Sequence, residues 1–488
     1  MVKNSGHLLV LPLSANSGKP AAVYDDSGLT FYRLPPSSFP IRKAISILLA
    51  LFMTVLLSGH YFDLVPQLAS EINSRILFSE SQQFWGPYTP YYPVEEYQHP
   101  PNGCSITQVN ILQRHGARYP TSSASKRIQR SLQKLLNASK YVDPKLEFLR
   151  SYQWHLGVAD LVPLGSTQSF HSGAETYRRY SHLVDDHMLP FVRASGGDRV
   201  VMSAVNWTAG FADASRQLYH PSVSVIISET ETSNNTLKNS MCPNSRASKN
   251  EANTWRDIFS ASIVDRLNTA AVGAEILSQD IPELMSLCAF ETVSEEKESR
   301  FCDLFSLQEF QAYEHYQDLQ KYYMTGYGNP LGRVQGVGYV NELLARLKGT
   351  PVEDHTQTNS TLDSSPITFP LDRTVYADFS HDDEMVAIYS ALGLFPQTYP
   401  PSPTEASPQS TWVVSRLVPF SGRMITEKMQ CFEAGIPRDF IRILINDEIQ
   451  PLAFCGVGDG LCGLEAFVDS QIYARRNGAG DFEKCFLE

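Results

Sequence analysis

The sequence predicts an α/β protein: a sheet built from both ends of the chain, a helix-rich insertion between them, and one apolar segment ahead of all three. Three observations carry that expectation. Short β-branched runs alternate with amphipathic helical patterns between residues 105 and 204 and again beyond 374. The stretch from 230 to 330 is polar and helix-like, with few strand signals. Two charged motifs, at 113–120 and 378–385, fall where strands end, which is where an open α/β sheet builds its site.

The amino terminus differs in kind from the rest. Residues 1–40 hold Pro35-Pro36 and little apolar periodicity, so they read as a flexible cytosolic tail. The apolar run Ala44–Leu57, which extends to Phe62, lies in a predicted membrane segment at 41–62. As a helix the run spans about 21 Å, or about 28 Å when extended, against a bilayer core of about 30 Å. Arg42-Lys43 precede it and the next charge is Asp63, so the positive-inside rule puts everything beyond 62 outside the cytosol. Two readings stay open: an uncleaved signal anchor giving a single-pass type II protein, or a cleaved signal with a long charged lead and secretion. Charge follows the same division. The chain carries 40 Lys+Arg and 52 Asp+Glu, a net of −12, of which residues 1–62 carry +3 and the remainder −15.

Composition narrows the class. With 25 Phe, 23 Tyr and 5 Trp the chain is too aromatic to stay solvated and disordered. A mean hydropathy of −0.22 excludes a polytopic membrane protein. The acidic balance, with a pI near 5.5, argues against nucleic acid as a partner.

Beyond the apolar segment the elements follow in order. Residues 63–83 read as a stalk. The Pro- and Tyr-rich run Trp85-Gly-Pro-Tyr-Thr-Pro-Tyr-Tyr-Pro93 reads as an extended segment laid over a domain, because its aromatics need burial. A first α/β part is expected over 84–188, a mainly α subdomain over 189–330, and the second α/β part over 331–488. Ile106, Val109 and Ile111 mark a strand ending at Arg114-His115-Gly116. Ile128, Leu132, Leu135 and Leu136 share one helical face. Arg199–Ala204 is expected as a short strand before a helix. Thr374–Phe379 reads as a strand ending at His381-Asp382, with a helix from Met385 to Leu394. Phe440–Ile449 reads as a hairpin turning at Asn446-Asp447.

All eight cysteines (Cys104, Cys242, Cys288, Cys302, Cys431, Cys455, Cys462 and Cys485) lie beyond residue 103. An even number confined to the non-cytosolic side reads as four disulfides in an oxidising compartment. Cys288–Cys302 and Cys455–Cys462 would close short loops, but spacing alone leaves the pairing open. No Cys/His spacing suggests a metal site, and no cofactor is expected. Asn137, Asn206, Asn234 and Asn359 head glycosylation sequons, all past residue 62.

Two motifs carry chemistry. In Gln113-Arg114-His115-Gly116-Ala117-Arg118-Tyr119-Pro120, two arginines flank one histidine. Guanidinium forks match phosphate oxygens, and a neutral imidazole held among them can attack phosphorus and form a labile phosphohistidine. Gly116 is expected to admit close approach of the anion. In Asp378-Phe-Ser-His381-Asp382-Asp383-Glu384, a run of acids at a helix start ordinarily compensates the helix dipole, which suits Asp383 and Glu384. His381 and Asp382 fit a different role, holding a phosphoryl group and supplying the proton its leaving alkoxide needs. Asp383 is expected to raise the pKa of Asp382.

Together these motifs resemble the histidine acid phosphatases, branch two of the histidine phosphatases. Trp85–Tyr91, Asn329-Pro-Leu-Gly332, Gln335-Gly-Val-Gly-Tyr339, Leu362-Asp-Ser-Ser-Pro366 and Tyr376–Asp382 are most similar to fungal phytases, and the resemblance runs from residue 84 to the C-terminus. It implies a phosphoglycerate-mutase-like α/β sheet domain with an inserted α-helical subdomain. It also implies acid phosphomonoesterase activity on phytate (myo-inositol hexakisphosphate), with no metal. His115 is then the nucleophile, and Arg114, Arg118, Arg199 and His381 hold the phosphate. Asp382 protonates the leaving group. The resemblance pairs Cys104 with Cys431, Cys242 with Cys485, Cys288 with Cys302 and Cys455 with Cys462. Lys126, Arg127 and Lys321 are candidates for the substrate pocket, although Gln320 stands where the family has a second lysine. The rival expectations are a broad phosphatase of other organic monoesters and a non-catalytic, membrane-tethered phosphate-binding protein.

Overall fold

The computed structural model describes residues 79–245, 248–433, 435–456, 458 and 460–487. The expected tail, the apolar segment 41–62 and the stalk up to residue 78 lie outside the described residues. Among the described residues no helix is long and apolar enough to cross a membrane.

The strands are β1 (Cys104–Arg114), β2 (Lys140–Tyr141), β3 (Phe191–Ser195), β4 (Val223–Ile227), β5 (Ala271–Val272), β6 (Val375–Ser380), β7 (Arg423–Glu433), β8 (Ile436–Ile445), β9 (Glu448–Ile449) and β10 (Cys462–Gly463). The longer helices are α1 (Ser122–Leu136), α2 (Pro163–Tyr180), α3 (Asp198–Ala214), α4 (Asn250–Phe259), α5 (Ala261–Ala270), α6 (Ile281–Glu295), α7 (Leu307–Met324), α8 (Val337–Lys348) and α9 (Asp382–Leu392). The main sheet runs β10-β8-β7-β1-β6-β3-β4, with β9 pairing β8. Strands β1, β6, β3 and β4 are parallel, and β7, β8 and β10 add antiparallel partners at one side.

Both faces of the parallel centre are covered, as parallel sheets require. Alternation along each strand sorts the side chains. Val375, Ala377 and Phe379 of β6, with Val192 and Ala194 of β3, pack on Trp207 and Phe211 of α3. Tyr376 and Phe191 face the other way, onto Val340, Leu343 and Leu344 of α8 and Val386 and Tyr389 of α9. The hairpin turn at Asn446-Asp447 is present, with both residues at positive φ, 48° and 71°. Helices α1, α4, α5, α6 and α7 share a separate core around Leu132, Ile263, Leu284 and Tyr313.

Two expectations shift. Phe191–Ser195 and Val223–Ile227 are strands of the main sheet, so the helical part does not begin at 189. Arg199–Ala204 is not a strand but the first turns of α3. Gly196-Gly197 ends β3 and caps the helix, and Trp207 and Phe211 continue its buried stripe at helical spacing. The segment 79–103 is an aromatic strap laid over the domain as expected, but Glu80–Phe84 and Gly86–Tyr88 form short 3-10 turns rather than extended chain. Trp85 is fully buried, and Gly86 N–H donates to Glu314 of α7 at 2.7 Å.

Four disulfides close the pairs implied by the resemblance: Cys104–Cys431, Cys242–Cys485, Cys288–Cys302 and Cys455–Cys462. Cys104–Cys431 joins directly paired positions of β1 and β7. Asn137 is exposed, while Asn206, Asn234 and Asn359 are half-buried.

A buried ion network locks the sheet to α8. Arg193 of β3 donates to Asp378 of β6 at 2.7 Å and to Glu342 of α8 at 2.6 Å, and Arg346 of α8 donates to Asp378 at 2.6 Å. Burial alone would raise the Asp378 pKa, but Arg193 and Arg346 hold it down at about 2. A depressed carboxylate stabilises the fold above its unfolded pKa of about 4 and loses that contribution only as pH falls through the folded value, so this network survives moderate acid. Asp378→Ala leaves the buried Arg346 guanidinium without its carboxylate and Arg193 with Glu342 alone, and is expected to cost about 3–5 kcal/mol in denaturant unfolding; a loss below 1 kcal/mol would contradict the assignment.

Candidate active site

The ends of three adjacent parallel strands converge on one cleft. Arg114 is the last residue of β1 and lies opposite Ser380, the last of β6. His115 follows Arg114 and His381 follows Ser380. Arg199 enters from the first turn of α3, just beyond β3, and Asp382 opens α9. The chain thus brings His115, Arg114, Arg118, Arg199, His381 and Asp382 together from three separate stretches of sequence.

His115 is almost fully buried, at 1% exposure. Its backbone N–H donates to Ser380 O at 3.1 Å and its carbonyl accepts from Ser421 N–H at 3.0 Å, so the ring stands on two fixed peptide groups. Nδ1 lies 2.9 Å from the Gly116 carbonyl. A carbonyl only accepts, so Nδ1 carries the hydrogen and Nε2 keeps its lone pair. Burial, then Arg114, Arg118, Arg199 and His381, push the His115 pKa well below the usual histidine range. The imidazole therefore stays neutral in acid, which a nucleophile at phosphorus requires.

Carbonyl and ring contacts anchor Arg114 and Arg118 and leave donors unspent. Arg114 Nη1 donates to Val418 O at 2.8 Å and to Pro87 O, and its guanidinium lies 4.7 Å from the Phe420 ring centroid. Arg118 Nη1 donates to Tyr119 O at 2.9 Å. Burial, followed by the neighbouring Arg114, lowers the Arg118 pKa to about 10, so it remains charged at any acid or neutral pH. The Nε atoms of Arg114, Arg118 and Arg199 are all buried and, among the described residues, have no hydrogen-bond partner. Buried cationic donors of this kind call for an anion with several acceptor oxygens.

Packing also requires a glycine at Gly116. A Cβ there would lie 2.2 Å from the Gly165 carbonyl oxygen, and one on Gly165 would lie 2.0 Å from Ala117 O. The glycine pair lets the loop after β1 touch the start of α2, and Gly116 N–H donates to Ser203 Oγ of α3 at 3.0 Å.

The acid side of the site also differs from expectation. Lys321 of α7 donates to Asp382 at 2.7 Å and to Asp383 at 2.5 Å, and Arg114 Nη2 lies 3.3 Å from Asp382. Burial would raise the Asp382 pKa, but Arg114 and Lys321 outweigh it and hold the carboxyl well below its ordinary value. Asp383 does not raise Asp382, because Lys321 neutralises both. The same pair pushes Lys321, against burial, up to about 12. Nor does Glu384 compensate the helix dipole: it is fully buried, and burial keeps its carboxyl well above the usual range.

Of the candidate pocket residues, Lys321 is inside the cleft. Arg127 of α1 pairs with Glu283 of α6 at 2.7 Å, and Lys126 is exposed. Gln320 donates to Tyr316 OH at 2.7 Å, turned along its own helix. Lys134 bridges to Asp280 and ties α1 to α6. One site residue was missed from the sequence: Glu229, which bonds His381 at 2.7 Å. Its signal was the run Val223-Ser-Val-Ile-Ile-Ser-Glu229, an acid just past a β-branched strand.

An open α/β sheet with a buried histidine among arginines at the ends of its strands is the architecture of a phosphoryl-transfer enzyme. The sequence matches the family described as the histidine phosphatase superfamily (branch 2) over residues 105–446, and the chain belongs to that family. Phytase A of Aspergillus oryzae is 39% identical over 433 residues, covering 84% of this chain and 91% of the relative. Phytase A of Aspergillus fumigatus is 40% identical over 427 residues, covering 83% and 91%. Among solved structures, the phytase from D. castellii superposes with a TM-score of 0.69 at 23% identity, covering 88% of this chain and 92% of that one. The Bifidobacterium longum multiple inositol polyphosphate phosphatase, in complex with inositol hexasulfate, gives 0.58 at 13% identity, covering 78% and 96%.

Lys321→Met removes one of the two cations, beside Arg114, that keep Asp382 ionised, so the Asp382 pKa rises. The alkaline limb of the pH–kcat profile is expected to move up by about half a unit or more. A downward shift would contradict the Lys321–Asp382 assignment.

Proposed function

We propose that the chain hydrolyses phosphate monoesters in acid, with phytate as its substrate, through a phosphohistidine on His115. The observation that carries the reading is the neutral, buried His115 with Nδ1 committed to Gly116 and Nε2 free among three arginines. The named relatives, both phytases, support the substrate.

In the first half-reaction the Nε2 lone pair attacks phosphorus, and the bond to the ester oxygen breaks. Arg114, Arg118 and Arg199 spread the charge of the transferring group over fixed donors. His381 donates to the phosphate, and Asp382 gives its proton to the departing alkoxide. Asp382 is held ionised by Arg114 and Lys321 in the free protein, so it needs the substrate to acquire that proton. A bound phosphate dianion takes up the positive field of Arg114, which removes the main cause of the depression. In the second half-reaction water attacks phosphohistidine, with Asp382 as the base, and inorganic phosphate leaves.

Lys126, Arg127 and Lys321 line the approach as cations for the remaining phosphates of a polyanion. Arg127 then exchanges its bond to Glu283 for one to substrate. Eight cysteines, all paired, suit an exported enzyme. Export would run through the 41–62 segment, as an anchor or as a signal, with 1–40 cytosolic and the sequons at Asn137, Asn206, Asn234 and Asn359 on the far side.

His115→Ala is expected to lower kcat by at least about 10³-fold with the fold intact; retained turnover would overturn the mechanism. Asp382→Asn is expected to slow phytate, whose alkoxide needs a proton, by about 10²-fold, and p-nitrophenyl phosphate, whose phenolate leaves unaided, far less. Equal losses on the two would remove Asp382 as the acid. Relative kcat/KM of the unaltered enzyme on these two esters separates a phytase from a broad acid phosphatase.

A further inference from the structure

Glu229 lies two residues beyond β4 and outside both catalytic motifs. It collects more donors than any packing role needs. Oε1 accepts from Ser195 Oγ at 2.7 Å, from the N–H of Gly197 at the start of α3 at 3.0 Å, and from His381 Nε2 at 2.7 Å. Oε2 faces Lys238 Nζ at 3.1 Å. Burial would raise its pKa, but His381, Ser195 and Lys238 outweigh that and keep Glu229 a carboxylate. An ionised carboxylate only accepts, so the hydrogen of this bond sits on His381 Nε2.

That bond decides what His381 presents to the cleft. Its other nitrogen, Nδ1, lies 3.3 Å from Arg199 Nη2. Arginine only donates, so in the free protein Nδ1 accepts and bears no hydrogen. An imidazole in this state has nothing to donate to a phosphate oxygen. Once an anion takes up Arg199, Nδ1 can donate only by gaining a hydrogen, while Nε2–H stays on Glu229. The groups that face His381 are His115, whose ring centroid is 5.7 Å away, Arg199 of α3, Glu229 after β4, and its neighbour Asp382.

We propose that Glu229 is a positioning residue that fixes His381 with Nε2–H turned away from the cleft, so that His381 holds the transferred group through Nδ1 and anion binding brings a proton onto that nitrogen. The inference rests on the phosphate-site reading above and adds a charge-balanced step: the anion and one solvent proton enter together. A positive imidazolium between Glu229 and the anion then replaces the Arg199 contact, and no other co-reactant is needed.

Sulfate is the probe, because this tetrahedral dianion does not itself titrate near neutrality. Calorimetric titration of the purified wild-type protein at pH 7, in two buffers of different ionisation enthalpy, is expected to show sulfate binding with proton uptake. Glu229→Gln keeps the size and loses the charge. It is expected to bind sulfate roughly tenfold more weakly, the scale of one charge-assisted hydrogen bond, and to take up less than half as much proton. Because His115 also borders the anion, and Asp382 gains a proton when a dianion takes up Arg114, the difference between the two proteins, not the total, reports His381. A side-chain ¹H–¹⁵N spectrum of the wild type needs no variant: it should show His381 as the Nε2–H tautomer when free and protonated on both nitrogens with sulfate. Unchanged affinity and proton uptake in Glu229→Gln, or an Nδ1–H tautomer in the free wild type, would overturn the inference while leaving the phosphate site standing. Failure of the wild type to bind sulfate would sink the phosphate-site reading and this inference with it.

Discussion

Holding two buried guanidinium groups and a third half-buried one around one imidazole is the constraint on which the rest of this structure depends. Like charges at close range in a dry cleft repel strongly, and none of the three can shed its proton. The protein tolerates the cluster by giving Arg114 the carbonyls of Pro87 and Val418 and the face of Phe420. The cluster in turn forbids a charged His115 and draws Asp382 into its ionised form. One source therefore keeps the titrating proton off both groups, leaving the nucleophile neutral and the acid ionised until substrate binds. Pro87 belongs to the aromatic strap, which explains why Trp85 is buried so deeply and why Gly86 is tied to Glu314.

The same constraint resolves the conflict between a net charge of −12 and a polyanionic substrate. The acidic excess is distributed, whereas the cations that matter stand at the ends of strands where screening is weak. Around the cleft Asp382 and Asp383 share Lys321, Glu229 faces Lys238, and Glu283 takes Arg127. The Asp378 network beneath the sheet keeps its charges well into acid, so the scaffold and the chemistry work in the same pH range.

Much of this was legible in the sequence, for local reasons. β1 is rich in β-branched residues and β6 in apolar and aromatic ones, they lead into Arg-His and His-Asp, and such junctions in an α/β sheet face the site whatever the rest of the chain does. The cysteine pairs followed from the family resemblance. Arg199 was identified, but Val200 and Val201 made its stretch look like a strand. The Gly-Gly step before it and the buried Trp207 and Phe211 after it outweigh that propensity. The strands at 191–195 and 223–227 were hidden inside a stretch read as helical because each has only five residues. Gly116 was read only as serving the anion because its contact with Gly165 depends on tertiary packing. Glu229 carries no motif, and only pairing of β3 with β4 brings it to His381. The direction of the Asp382 shift was misread because Lys321 sits 61 positions away in the chain.

The central claim is that His115 Nε2 takes the phosphoryl group. The most direct measurement is rapid quenching of the enzyme during turnover of ³²P-labelled phytate into alkali, followed by peptide mapping. The account predicts a label that is stable in alkali and lost in acid, on the peptide that holds His115. A label on any other residue, or full turnover with no covalent label at any quench time, would contradict it.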